Sequence, residues 1–213
     1  MTTTDDGSTR PPAARRPGRP RKGEQAARRA ELLDVATRLF GARGFDATTI
    51  EAVAHEAGVT KRTIYSQFTD KAGLFVAAVE NLHAHEREAQ PDGEDLEDLA
   101  TRIVHTLHGD QAVTLHRLVI AEAHQFPDLA ATFYARGPAV SIEALAAALA
   151  GPLGDDPASR VARSRAQALY TLLLGEPHRR RLLGLQGTPT LAQARKHARG
   201  AIQVVLGPQP PAP

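Results

Sequence analysis

The chain has 213 residues, 42% hydrophobic and 23% charged, with no cysteine or tryptophan and a formal net charge of +2. It is long enough to bury a substantial core, and a disulfide framework or a cysteine-based zinc finger is excluded. Its longest clean apolar run, Ala144 to Ala150, falls far below the ~20 residues a membrane span needs, and no apolar signal segment opens the chain, so a cytoplasmic protein is expected.

Charge is spread unevenly. Arg10, Arg15, Arg16, Arg19, Arg21, Lys22, Arg28 and Arg29 crowd the N-terminus and suit a polyanion. Glu86, Glu88, Asp92, Glu94, Asp95, Glu97 and Asp98 make an acidic middle that repels one. Residues 1–23, "MTTTDDGSTRPPAARRPGRPRKG", have almost nothing to bury and read as a disordered basic arm. From Glu24 the pattern changes: Leu32, Leu33, Ala36, Leu39 and Phe40 recur at helical spacing up to Gly44. Thr48 and Glu51 then form a capping box for a short helix carrying Ile50, Val53, Ala54 and Ala57. Gly58 makes a tight exit, Val59 plugs the corner, and the Thr60 hydroxyl caps the next helix. That helix buries Ile64 and Phe68 and leaves Lys61, Arg62, Thr63, Tyr65 and Gln67 largely outward. Two short helices joined by a glycine turn, the second polar, read as a helix-turn-helix.

Every later segment is helical in period: 70–89 after an Asp70 cap, 94–108, 111–125, a helix from Pro127 interrupted at Gly137-Pro138, 157–175, and 189–206. The tail 207–213 reads as structureless. The fold expected is therefore all-α, with an N-terminal three-helix DNA-binding domain over 24–70 and a larger helical domain over 71–206. No nucleophile elbow or glycine-rich phosphate loop is present, which argues against an enzyme. His83 and His85 point to different sides of a helix, and His105 and His108 have no ligand set around them, so neither a metal nor a cofactor is expected.

A helix laid in the DNA major groove presents its first turns to base edges. Thr60, Lys61, Arg62 and Thr63 fit that need, with Lys61 or Arg62 bridging guanine O6 and N7 and a threonine methyl meeting thymine. Tyr65, Lys71 and Thr48 are placed for phosphates. The alternative is a solvated polar helix face.

The run "TTIEAVAHEAGVTKRTIYSQFTDKAGLF" resembles the N-terminal domain of the TetR family of transcriptional regulators, through Thr48, Thr49, Ile50, Ala57, Gly58, Val59, Thr60, Ile64, Tyr65, Phe68, Lys71 and Leu74. Gln67 stands where the family often has histidine or tyrosine, at a position the resemblance implies for a contact with the DNA backbone. "LHRLVIAEAHQFPDLAATFYARGP" is similar to the regulatory domain of AefR-like members. The resemblance implies a homodimer that binds a pseudo-palindromic double-stranded operator and is released by a small hydrophobic ligand. The last two long helices of each subunit would form the dimer interface. In the final helix the stripe Leu191, Ala194, Ala198, Ala201, Ile202 and Val205 is rich in alanine, which allows close helix approach, across a dimer or within one chain.

Leu115, Leu118, Val119, Glu122 and Phe126 share one helical face, with a carboxylate near its middle. Glu122 is expected either as a polar anchor in a ligand pocket or as one half of a structural pair. The pocket walls expected around it are Leu107, Leu118, Phe126, Phe133, Leu169 and Tyr170. The arm's "RRPGRPRKG" resembles an AT-hook, in which Arg16, Arg19 and Arg21 enter an A·T-rich minor groove; the alternative is a tail that only adds charge. A constitutive architectural protein without a ligand is the other functional reading.

Overall fold

The computed structural model describes residues 22–82, 95–153 and 156–207. Those residues form helices and connecting turns, with no strand among them. The arm with Arg16, Arg19 and Arg21, the histidines at 83 and 85, and the tail beyond Gly207 lie outside the described residues.

Four helices build the N-terminal part: α1 (Lys22–Arg43), α2 (Ile50–Glu56), α3 (Lys61–Tyr65) and α4 (Lys71–Leu82). Helix α1 starts two residues before the Glu24 boundary expected for the domain. Asp70 receives the Gly73 amide at 2.7 Å and caps α4. The capping of α2 departs from expectation. Thr49, not Thr48, is the N-cap and accepts from the Ala52 amide at 3.1 Å. The Thr48 hydroxyl is turned inward and donates to the carbonyls of Gly44 at 2.7 Å and Leu39 at 3.1 Å.

The C-terminal part comprises α5 (Leu96–Leu107), α6 (Asp110–Glu122), α7 (Pro127–Arg136), α8 (Pro138–Leu153), α9 (Arg160–Leu182) and α10 (Leu191–Leu206). Gly137 separates α7 from α8, as the Gly-Pro pair predicts. Helix α9 runs past the expected end at residue 175, although Gly175 breaks it at φ 51°, ψ −157°. Pro177 has no N–H for the carbonyl four residues earlier, that of Leu173. Two imidazoles replace it: His108 Nε2 and His197 Nε2 each lie 3.0 Å from the Leu173 oxygen. A carbonyl only accepts, so both rings carry their proton on Nε2. With that acceptor satisfied, the chain resumes its helix.

The buried apolar residues form two cores. The first joins α1–α4, around Phe40, Phe75 and Ile64, to Leu115, Leu118 and Val119 of α6 and Leu129 and Phe133 of α7. The second packs α5, α8, α9 and α10, with Ala112 of α6. Fully burying a side chain of the Leu, Ile or Phe class contributes roughly 1.5–3 kcal/mol, so the α6 residues are a large part of what holds the N-terminal helices. Helix α10 lies along α5. Ala194 and Ala198 are fully buried there, and Arg199 grips Glu97 with two nitrogens at 2.8 and 3.1 Å. The alanines of the stripe are thus packed within the chain, while Leu191 at its start stays exposed. No helix of the described residues is long and apolar enough to cross a membrane.

Candidate nucleic-acid interface

The turn between α2 and α3 is fixed by backbone. Gly58 takes φ +64°, and the Val59 amide donates to the Ala54 carbonyl at 2.9 Å. Thr60 is the N-cap of α3, accepting from the Thr63 amide at 3.1 Å, as its position in the sequence predicts. Ile64 is fully buried and Phe68 nearly so, which pins the inner face. Lys61, Arg62, Tyr65, Ser66 and Gln67 are then exposed, with Tyr65 53% accessible. Five helical residues are too few to stand alone. The buried Ile64 and Phe68 keep the outward side chains in one orientation.

The expected contact residues separate into distinct environments. Arg62 is exposed and has no salt-bridge partner among the described residues. Lys61 is engaged: its Nζ lies 2.7 Å from a Glu51 oxygen, and this hydrogen bond holds the Glu51 carboxyl below its ordinary range. The hydroxyls of Thr60 and Thr63 are 2.9 Å apart, leaving the threonine methyls and remaining lone pairs for a ligand. Lys71 is half-buried, donating to the Asp46 carbonyl at 2.9 Å and lying 4.7 Å from the centre of the Phe45 ring. Thr48 is corrected: with no accessible surface and its hydroxyl spent on Leu39 and Gly44, it is no phosphate contact.

Beside α3 runs a groove of about 830 Å³ lined by Gln25, Arg28, Arg29, Thr60, Thr63 and Gln67, among others. Arg29 stacks 5.3 Å over the Phe68 ring, so the base of the reading helix and the start of α1 are tied together. Sequence reasoning counted Arg28 and Arg29 only as part of the N-terminal charge. Both are exposed in the first turns of α1, where they border this groove. The groove presents cations, hydroxyls and an amide on one side of the molecule, the chemistry that phosphates and base edges require.

The residues expected around a ligand do not meet. Leu107, Leu169 and Tyr170 belong to the second core, whereas Leu118 and Phe133 belong to the first and Phe126 packs against it. Helix α6 turns the Leu115–Leu118–Val119 face toward α1, where Phe40, Phe45 and Phe75 fill the space. Glu122 faces the same way and accepts the Phe45 N–H at 3.0 Å, so it has a structural partner in the connection after α1. An open groove of about 590 Å³ lies instead at the break of α9, lined by Tyr134, Ile142, Tyr170, Thr171, Leu174 and His178, among others.

Behind that groove His178 Nε2 meets His116 Nδ1 at 3.0 Å, and the His178 ring packs 5.3 Å from that of His108. Burial first, then neighbouring cationic groups, pushes both His108 and His178 down to about 4. No group of three or more histidine, aspartate or glutamate residues suited to a metal occurs among the described residues.

Residues 32–78 match the family description "Bacterial regulatory proteins, tetR family", and residues 94–207 match "AefR-like transcriptional repressor, C-terminal domain". The HTH-type transcriptional regulator AcrR of Shigella flexneri is 33% identical over 108 residues, which are 47% of this chain and 50% of AcrR. TtgR of Pseudomonas putida, another HTH-type transcriptional regulator, is 40% identical over 62 residues, 29% of this chain and 30% of TtgR. The chain thus spans half or less of the length of these curated relatives. Among solved structures, a TetR-family regulator from Mesorhizobium loti superposes with a TM-score of 0.61 at 27% identity, covering 85% of this chain and 96% of that one. The flavonoid-responsive regulator FrrA gives the same score and identity over 88% of this chain and 100% of FrrA.

Proposed function

Because the chain belongs to the TetR family of DNA-binding transcriptional regulators, we propose that it is a homodimeric repressor, released from a pseudo-palindromic operator by a small hydrophobic molecule. The observation that carries the DNA-reading part is the rigid α3, which holds Arg62, Tyr65 and Gln67 outward beside the Arg28–Arg29 groove. Two such helices, ~34–36 Å apart, enter successive major grooves. Arg62 reads guanine, Tyr65 and the α1 arginines hold phosphates, and Lys61 joins once it leaves Glu51. The arm's Arg16, Arg19 and Arg21 then reach an adjoining A·T-rich minor groove.

The dimer reading is supported by apolar side chains left exposed on and after α9 and on α10, with Val204 71%, Leu183 67% and Leu185 62% accessible. The aromatic lining of the groove at the α9 break, together with the likeness to a regulator named as flavonoid-responsive, supports a flat aromatic ligand. Selection of duplexes from random DNA by the full chain tests the reading. A palindromic consensus is expected, and the double variant R62A/T63A, still folded, loses discrimination at the bases it reads by roughly 1–3 kcal/mol per site. Intact discrimination by that variant would refute α3 as the reading element.

A further inference from the structure

Helix α6 is held on one side by the reading head and on the other by the limb of α9 beyond its break. Toward α1, Gly41 lacks a side chain where Thr114 fills the place: a Cβ built there would lie 1.9 Å from Thr114 Cγ2. At the far end of α6, Glu122 Oε1 accepts the Phe45 N–H at 3.0 Å. Gly44, at φ +84°, belongs to the same joint, since a Cβ on it would stand 2.9 Å from that same oxygen. Phe126, just past α6, meets the Phe45 ring edge-on at 5.3 Å, and Lys71 lies over that ring.

Toward α9, polar ties run to residues after Gly175. His116 bonds His178, and Arg117 donates to the carbonyls of Arg181 and Leu182 at 2.8 Å each. Asp110 takes the buried Arg181 guanidinium, which also donates to the His108 carbonyl at 2.8 Å.

Resting on the reading of the chain as a DNA-binding regulator, we propose that Glu122, through its hold on the Phe45 amide, is a positioning residue for operator recognition. The Phe45 amide opens the connection from α1 to the helix-turn-helix, in a residue that is itself buried. A carboxylate is the strongest acceptor available to such an amide, and without it the donor is left unsatisfied, so the connection must shift. A shift there rotates α2 and α3 together relative to α6, and in a dimer it changes the separation of the two reading helices.

The test uses the full chain and duplexes recovered by selection with the unaltered protein, including a series in which the half-site separation is lengthened or shortened by one base pair. E122A is expected to bind the selected duplex about tenfold more weakly and to lose preference among the separations, while affinity for random duplex stays unchanged. E122Q keeps an oxygen in place and is expected to restore most of both. Should E122A not fold, E122D, which retracts the carboxylate by one methylene, is expected to flatten the separation preference partly. A folded E122A or E122D that discriminates separations like the unaltered chain overturns the proposal. Failure of the unaltered chain to select any duplex overturns instead the DNA-binding reading beneath it.

Discussion

Glu51 faces the reading helix and occupies Lys61 at 2.7 Å, with both partners more than half exposed. An exposed pair of this kind is held weakly, so a phosphate competes well for the lysine. Substituting Glu51 by Gln removes a negative charge from the face that meets DNA and frees the ammonium. Affinity is expected to rise a few-fold at low salt, and the slope of log affinity against log salt to steepen by up to about 1. A salt titration with a selected duplex measures both, and an unchanged slope would show that Lys61 stays off the backbone. The same scale explains one misread residue. Thr48 and Thr49 are adjacent hydroxyls before the same helix, and local sequence does not say which caps it; the inward carbonyls of Leu39 and Gly44 decide, and they come from the end of α1.

Helices whose ends are set by neighbouring residues were legible: α1 up to Gly44, the Thr60 cap and the Gly137 break all follow from local chemistry. Helix α9 was not, because what lets it continue past Pro177 arrives from His108 and His197, far away in the chain. Those rings carry a consequence for acid stability. His108 and His178 sit at about 4 in the folded protein against 6.5 when free, so between those values the unfolded chain binds more protons than the folded one. The contribution of these two sites to stability is therefore full above about pH 7 and falls as pH drops through 6.5 toward 4, by up to about 1.4 kcal/mol per pH unit for each site. In H178Q, whose amide still faces His116, denaturant melts across that range should give a shallower slope. An identical slope would place the acid sensitivity elsewhere.

Across the whole molecule, the chain divides near residue 70 by motif but not by packing. Helix α6 sends Leu115, Leu118 and Val119 into the core beneath the reading head, and α7 sends Leu129 and Phe133. Periodicity revealed that these residues share a face; it did not reveal that the face points toward α1, and for that reason the expected ligand walls fell into two separate cores. Residues 22–82 made alone are expected to lack a cooperative thermal transition, while the full chain melts as one unit across both parts by circular dichroism and by the tyrosine near-ultraviolet signal. A folded, cooperatively melting fragment would restore the independent-domain picture. The notch at Gly41 extends this interdependence to inheritance. Glycine inside a helix is unfavourable by about 1 kcal/mol relative to alanine, and Thr114 takes the space that alanine would need. Positions 41 and 114 are accordingly one unit of variation, free to drift only when a gain of bulk at either is matched by a loss at the other.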